Sequence, residues 1–282
     1  MKLPTLAHLQ QVACFGIAGN FAGHLEQAGE TADFLTVKTA ETEAPKGIFP
    51  IYLPQTEGFL AHFPLDHQQI LYPLNLAADA HLQAEPEVCV LFAVEYQFGQ
   101  IRHLRPQAFA AFNDCSIRKP NAKKISEKKN WGASSKGIAQ EFLPLSSLDV
   151  DGELEPFRIA SFLARDGVWH PYGQDCAVNS YHYFHQKLDT WMRDTFNHQA
   201  DFGPLENLNQ LLHQAAFPRQ VLITLGATTY TDFAQQHFLQ PGDRLKVYVY
   251  NGSAHSPEEI AAHACEATHF KLNASLLEQH IR

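Results

Sequence analysis

The chain has 282 residues, 45% of them hydrophobic and 18% charged, an ordinary globular composition long enough for a substantial core without disulfide staples. Its 21 Lys+Arg against 30 Asp+Glu leave a net charge of −9, which excludes a general nucleic-acid binder, since such a surface must be cationic to neutralise phosphates. No apolar run approaches the roughly 20 residues of a membrane span, and five scattered cysteines without a C-x-x-C pair fit reduced thiols in a cytoplasmic protein.

In chain order, the 1–19 segment is too mixed in polarity for a signal peptide. Residues 34–37, 48–53, 88–94 and 157–163 read as strands, because apolar and β-branched residues cluster there between turn signals. A helix is expected over 179–196, where Tyr181, Phe184, Leu188, Trp191 and Met192 recur at helical spacing. Residues 220–225 and 244–250 read as strands again, the second fed by the turn Pro241-Gly242-Asp243. A last helix over 257–265 is opened by Ser256 as N-cap, with Pro257 at the first helical position and Glu258 and Glu259 following. Strands dominate and do not alternate regularly with helices. The expected class is therefore α+β, mainly β, rather than a doubly wound parallel sheet.

Three features could carry chemistry. Glu85-Pro86-Glu87 precedes the apolar run Val88-Cys89-Val90-Leu91-Phe92, so both carboxylates would share one face at the mouth of a buried strand. Such a pair is either two solvated charges or half of a hard-cation site that needs a third carboxylate. Asp114, at the end of the apolar run that closes on Phe112-Asn113, is the candidate third ligand, although an acid there also makes a turn. Three oxygen donors suit Mg²⁺, Mn²⁺ or Ca²⁺ and not zinc. The stretch from Arg118 to Lys136 holds seven of the 21 basic residues (118, 119, 123, 124, 128, 129 and 136), and reads as a solvated loop or a cationic lid over a small anion. His182 and His185 read as two exposed helix histidines. Walker, dinucleotide-binding, nucleophile-elbow and H-E-x-x-H signatures are absent.

In chain order, these pieces resemble the fumarylacetoacetate hydrolase superfamily. The segment from Phe15 through Gly19-Asn20-Phe21 to His24 is similar to its G-R-N-Y-x-x-H stretch, and Phe34-Leu35-Thr36-Val37-Lys38-Thr39 to its F-x-K-P/T strand. Glu85-Pro86-Glu87-Val88 resembles E-x-E-L/I, and Asn113-Asp114-Cys115-Ser116-Ile117-Arg118 resembles N-D-V/M-T/S-A-R-D. Trp131 through Lys136-Gly137 matches the W-x-x-x-K-S/G segment, and Thr224-Leu225-Gly226 followed by Pro241-Gly242-Asp243 matches the T-G-T-P and P-G-D pair.

The resemblance implies a single catalytic domain over 1–282 with the mixed β-sandwich roll of the family, in which residues 1–75 bring the His24 segment to the site. It implies Glu85, Glu87 and Asp114 as ligands of Mg²⁺ (or Mn²⁺ or Ca²⁺), Lys136 as a substrate-facing cation and His24 as the base that activates water. Asn20, Lys38, Arg118, Gly226 and Thr228 would contact substrate. It further implies hydrolysis of a C–C bond in a small anionic 2-oxo or 1,3-dicarbonyl acid through a metal-stabilised enolate, and a homodimer with neither nucleic acid nor membrane as partner. Decarboxylation, hydration and isomerisation would use the same site. The sequence also departs from the pattern: Ala18-Gly19 stands for Gly-Arg, Phe21 for Tyr, Gln27 for an acid, Lys119 for Asp and Ala227-Thr228 for Thr-Pro. Those changes keep a second expectation in play, a relative that binds a metal or ligand without catalysis.

Overall fold

The computed structural model describes residues 4–119, 122–265 and 271–282. Its longest strands, Pro86–Gln97 and Gln100–Asn113, form one hairpin. Residues 88–92 and 108–112 are buried on both faces, as in the middle of a covered sheet. Phe98 and Gly99 join the two strands at φ of 54° and 76°, the doubly left-handed turn whose twist matches that of the strands. The register pairs Pro86 with Asn113 and Glu87 with Phe112, so the open end of the hairpin carries Glu85 beside Asp114. Asp114 N–H donates to Glu85 O at 2.9 Å, and Glu85 N–H to Asn113 Oδ1 at 3.0 Å.

Around the hairpin runs a mixed eight-stranded sheet in the order Gly47–Tyr52, Ala13–Ala18, Gln220–Thr224, Pro86–Gln97, Gln100–Asn113, Lys136–Ile138 and Leu65–Asp66, with Leu143–Pro144 attached to Gln100–Asn113. Gln220–Thr224 is parallel to Ala13–Ala18 and antiparallel to Pro86–Gln97. A second sheet of six strands follows the order Val168–Pro171, Phe157–Arg165, Arg244–Asn251, Ala274–Ile281 and Gln69–Ile70, with Cys176–Ala177 on Phe157–Arg165. The two sheets pack on each other at the hairpin. Phe109 meets Phe157 edge-on at 4.9 Å, Ala111 N–H donates to Ser275 Oγ at 3.0 Å, and Asn113 Nδ2 donates to Gln279 Oε1 at 3.1 Å. A Cβ on Gly137 would lie 2.1 Å from Gln279 Oε1, so a side chain there would push Gln279 off Asn113. Among the described residues no helix is long and apolar enough to cross a membrane.

The strands expected at 48–53, 88–94, 157–163, 220–225 and 244–250 are all present, and the mainly β class holds. The helix expected over 257–265 is Pro257–Cys265. Its cap is reciprocal: Glu259 N–H donates to Ser256 Oγ (3.2 Å) and Ser256 N–H to the Glu259 carboxylate (2.9 Å). Two expectations are corrected. Residues 34–37 form no strand; Thr31–Phe34 is a 3-10 turn that brings Glu30 and Asp33 to one ammonium, that of Lys128. The helix expected from 179 begins only at His185 and runs to His198. Asn20 captures the preceding residues instead, its carbonyl accepting from His182 N–H and its Oδ1 from Tyr183 N–H, both at 2.9 Å. His182 therefore precedes the helix, and His185 pairs with Glu155 at 2.8 Å.

Candidate metal centre and active site

Strand alternation puts Glu85 and Glu87 on one face of the hairpin end, and the chain turning out of the partner strand adds Asp114. One carboxylate oxygen from each of the three lies within 4.8 Å of the others. All three side chains are buried, Asp114 at 0%, Glu87 at 2% and Glu85 at 4% exposure. Desolvated carboxylates this close raise one another's proton affinity unless cations intervene. Burial, then the Asp114 and Glu85 charges, hold the Glu87 carboxyl far above the usual range; its Oε2 accepts from Gly226 N–H at 2.8 Å. Gly226 turns there at φ +109°, a backbone conformation that favours glycine.

The cations come from the basic stretch. Lys129 Nζ lies 2.8 Å from Glu85 Oε2 and 2.7 Å from Asp114 Oδ2. Arg118 reaches Glu85 Oε1 at 2.9 Å and Glu30 Oε1 at 2.6 Å, and also donates to Gln83 Oε1 and Tyr230 Oη. Lys136 Nζ donates to Cys115 O, sits 3.4 Å from Asp114 Oδ1 and faces the Trp131 ring at 4.8 Å. Burial would raise the Glu85 carboxyl, but Lys129 and Arg118 pull it far below the carboxylate range. For Asp114 burial wins over Lys129 and Lys136, and its affinity for a proton is raised. Burial likewise lowers Lys136. The 118–136 stretch is thus a solvated loop only in part: Lys123 is exposed and Lys119 and Lys124 are half-buried, whereas Lys128, Lys129 and Lys136 are buried, and Pro120 and Asn121 lie outside the described residues.

His24 stands at the start of the short helix His24–Gln27, 5% exposed. Its Nδ1 is 2.9 Å from Thr228 O, which fixes a proton on Nδ1 and leaves Nε2 as an acceptor. Burial lowers its pKa from 6.5, outweighing the Glu85 charge, which raises it, and helped by Arg118, so the ring stays neutral. Gln27, where the family pattern has an acid, clamps the Tyr230 backbone instead, accepting from its N–H at 2.8 Å and donating to its carbonyl at 3.4 Å.

The other expected contact residues have defined places. Asn20 is fully engaged, donating to Tyr183 O and Leu225 O and accepting from Tyr183 N–H. Arg118 spends its donors on Glu30, Glu85, Gln83 and Tyr230. Lys38 is exposed beside a cavity of about 660 Å³ that also takes in Lys46, Trp191 and Phe202, with no triad carboxylate in its lining. A cavity of about 560 Å³, walled by Leu71, Leu74, Leu76, Ile117 and Trp131 with Lys119 at its edge, adjoins the indole that Lys136 faces. Sequence reasoning missed Glu30 and Tyr230, and it took Lys128 and Lys129 only as members of the basic stretch, without their pairing to the buried acids.

The profile of a family of unknown function, DUF5718, matches residues 30–281. The chain belongs to that family. The match takes in the triad, Lys129 and Lys136 but begins after His24. No curated protein matches the chain. Among solved structures, a protein assigned to the fumarylacetoacetate hydrolase family from Yersinia pestis CO92 aligns at 14% identity and TM-score 0.52, over 96% of this chain and 94% of its own. The 5-carboxymethyl-2-hydroxymuconate delta-isomerase from Mycobacterium smegmatis aligns at 12% identity and TM-score 0.52, over 95% of this chain and 78% of its own. This DUF5718 chain has the fumarylacetoacetate hydrolase fold in a divergent sequence.

Proposed function

We propose that this protein is a divalent-metal-dependent enzyme acting on a small 2-oxo or 1,3-dicarbonyl acid, with hydrolysis of a C–C bond as its reaction. The observation that carries the reading is the convergence of three buried carboxylates at one hairpin end. Both oxygens of Asp114 and Oε1 of Glu85 are buried without a hydrogen bond and face only positive charge, Lys129 at 2.7 Å, Lys136 at 3.4 Å and Arg118 at 2.9 Å, so the pocket they form is one that needs cations. The donor set, all carboxylate oxygen, fits Mg²⁺ or Mn²⁺. Glu85, Glu87 and Asp114 would hold the ion, which when bound polarises the oxygens of a chelating oxo acid and stabilises negative charge there.

The chain's own groups supply the rest. His24 Nε2 accepts a proton from water while the Thr228 carbonyl holds the ring's orientation and tautomer, the part an acid plays in the family pattern. Lys136, held between Cys115 O, Asp114 and Trp131, presents positive charge where negative charge grows in the substrate. The Trp131-walled cavity offers room for an apolar substituent of the substrate. Isomerisation, the activity named for the Mycobacterium smegmatis structure, decarboxylation and hydration would draw on the same groups. Assay of the purified protein with Mg²⁺ or Mn²⁺ against acylpyruvates and oxaloacetate tests the reading. Turnover should fall by on the order of 10²-fold or more in Asp114→Asn. Turnover that survives this change sinks the cage.

The second reading is a protein that binds its ligand without catalysis. The Lys129 ammonium on two of the triad's carboxylates favours it. It predicts metal-dependent thermal stabilisation without turnover of any oxo acid, and turnover that requires His24 rules it out.

A further inference from the structure

We propose that the Lys129 ammonium is a built-in counter-ion occupying the carboxylate edge that a divalent cation needs, so that an ion enters only when Lys129 withdraws. This deepens the reading of the triad as an ion site and rests on it. Nζ lies 2.8 Å from Glu85 Oε2 and 2.7 Å from Asp114 Oδ2, bridging two of the three candidate ligands from within a side chain that is 3% exposed. The remaining oxygens of those two residues are also spoken for: Arg118 stands 2.9 Å from Glu85 Oε1 and Lys136 3.4 Å from Asp114 Oδ1. A divalent ion on either bridged oxygen would sit within a few ångströms of the ammonium, and the two cations would repel strongly across a desolvated gap.

Charge arithmetic points the same way. The four cations Arg118, Lys128, Lys129 and Lys136 are paired with the four carboxylates of Glu30, Asp33, Glu85 and Asp114, while Glu87, whose carboxyl burial holds far above the usual range, takes a backbone N–H. The paired cluster balances without any ion, and a divalent ion adds two positive charges to it. A lysine can yield its place, since its ammonium is a point charge on a flexible four-carbon stem rather than a planar fork. Lys129 also leans on the Phe49 ring, 5.0 Å from its centroid, which offers a cation a second contact off the carboxylates. The arrangement makes the site weak for a bare ion and better for an ion arriving with a dianionic acid, which restores neutrality.

The test is calorimetric titration of the full-length protein with Mn²⁺, with thermal melts of the same samples, for wild type, Lys129→Met and Lys129→Arg. Lys129→Met should bind Mn²⁺ tighter than wild type by on the order of tenfold or more and gain the larger rise in Tm, since its two carboxylates are left without their partner. Lys129→Arg, which keeps the charge, should bind no tighter than wild type. Equal affinity in wild type and Lys129→Met overturns the counter-ion role while leaving the ion site standing. Absence of binding in all three overturns the ion site, and this inference with it. Should Lys129→Met fail to fold alone, recovery of the fold on refolding with Mn²⁺ supports the proposal and failure to recover overturns it.

Discussion

Replacing Arg118 by methionine separates a substrate-binding arginine from one that holds the site together. The guanidinium is only 9% exposed and is shared by Glu30 at 2.6 Å and Glu85 at 2.9 Å, whose own side chains are 10% and 5% exposed. Burial would pull its pKa down, but the two carboxylates hold it well above the ordinary value, so it is charged throughout the accessible pH range. Removing one partner of a buried pair leaves the other charge uncompensated and costs about 3–5 kcal/mol. Lys128 still serves Glu30 and Lys129 still serves Glu85, which places the loss toward the lower bound. For a chain of this size, each kcal/mol corresponds to roughly 2–4 °C in Tm, so a drop of about 6–12 °C is expected. Urea denaturation of Arg118→Met and of Arg118→Met/Glu30→Gln gives the coupling, and the double variant should recover part of the loss. A single variant within about 0.5 kcal/mol of wild type, the scatter of ordinary surface changes, would refute the structural role.

His24→Gln should lower kcat by on the order of 10²-fold or more with the Tm nearly unchanged, and in wild type the acid limb of kcat/KM should fall below 6.5, because burial lowers the His24 pKa and the neutral base persists to lower pH. Glu206 offers a pH test away from the site. Burial raises its carboxyl from 4.5 to about 7, Ser126 donates to its Oε1, and its Oε2 has no hydrogen-bond partner. The native state keeps a proton that the unfolded chain releases, so stability should decline as pH rises from 4.5 to about 7. Glu206→Gln should flatten that decline, gaining about 1–3 kcal/mol above the window and little below it; parallel curves for the two proteins would refute it. Ser256→Ala should cost about 1 kcal/mol in urea denaturation by breaking the reciprocal cap.

Much of this was legible in the sequence where the signal is local. Apolar clustering marked the central strands, Ser256-Pro257 marked the last helix to the residue, and an i, i+2 acid pair before an apolar run marked the hairpin end. Strand Ala274–Ile281 escaped notice because its polar positions, Glu278, Gln279 and His280, dilute the pattern, although Gln279 is buried against Asn113. Helix Leu208–Gln214, capped by Asn207, is short enough that its two buried leucines carry no periodicity. Asn20 shows the opposite case: the 179–196 spacing was truly helical, and a single amide 163 residues from Tyr183 unwound its first turn. Tertiary hydrogen bonds of that kind leave no trace in a window of sequence.

The basic stretch was visible from composition but misjudged in role, and the reason bears on how such a site can exist. Three carboxylates cannot be buried together for an ion that is not yet there when the chain folds, since each would forfeit its hydration without return. An acidic protein has few cations to spare, and this one sends Arg118, Lys128, Lys129 and Lys136 inward from a single stretch, to Glu30, Asp33, Glu85 and Asp114. Glu87 alone keeps no cation in direct contact among the described ion pairs and takes a backbone N–H instead. The fold is thereby completed with lysine where an ion would otherwise be required. Of these cations Lys129 alone bridges two triad acids, so replacing it should disturb ion binding most, while replacing Lys128, whose contacts are Glu30 and Asp33, should disturb stability.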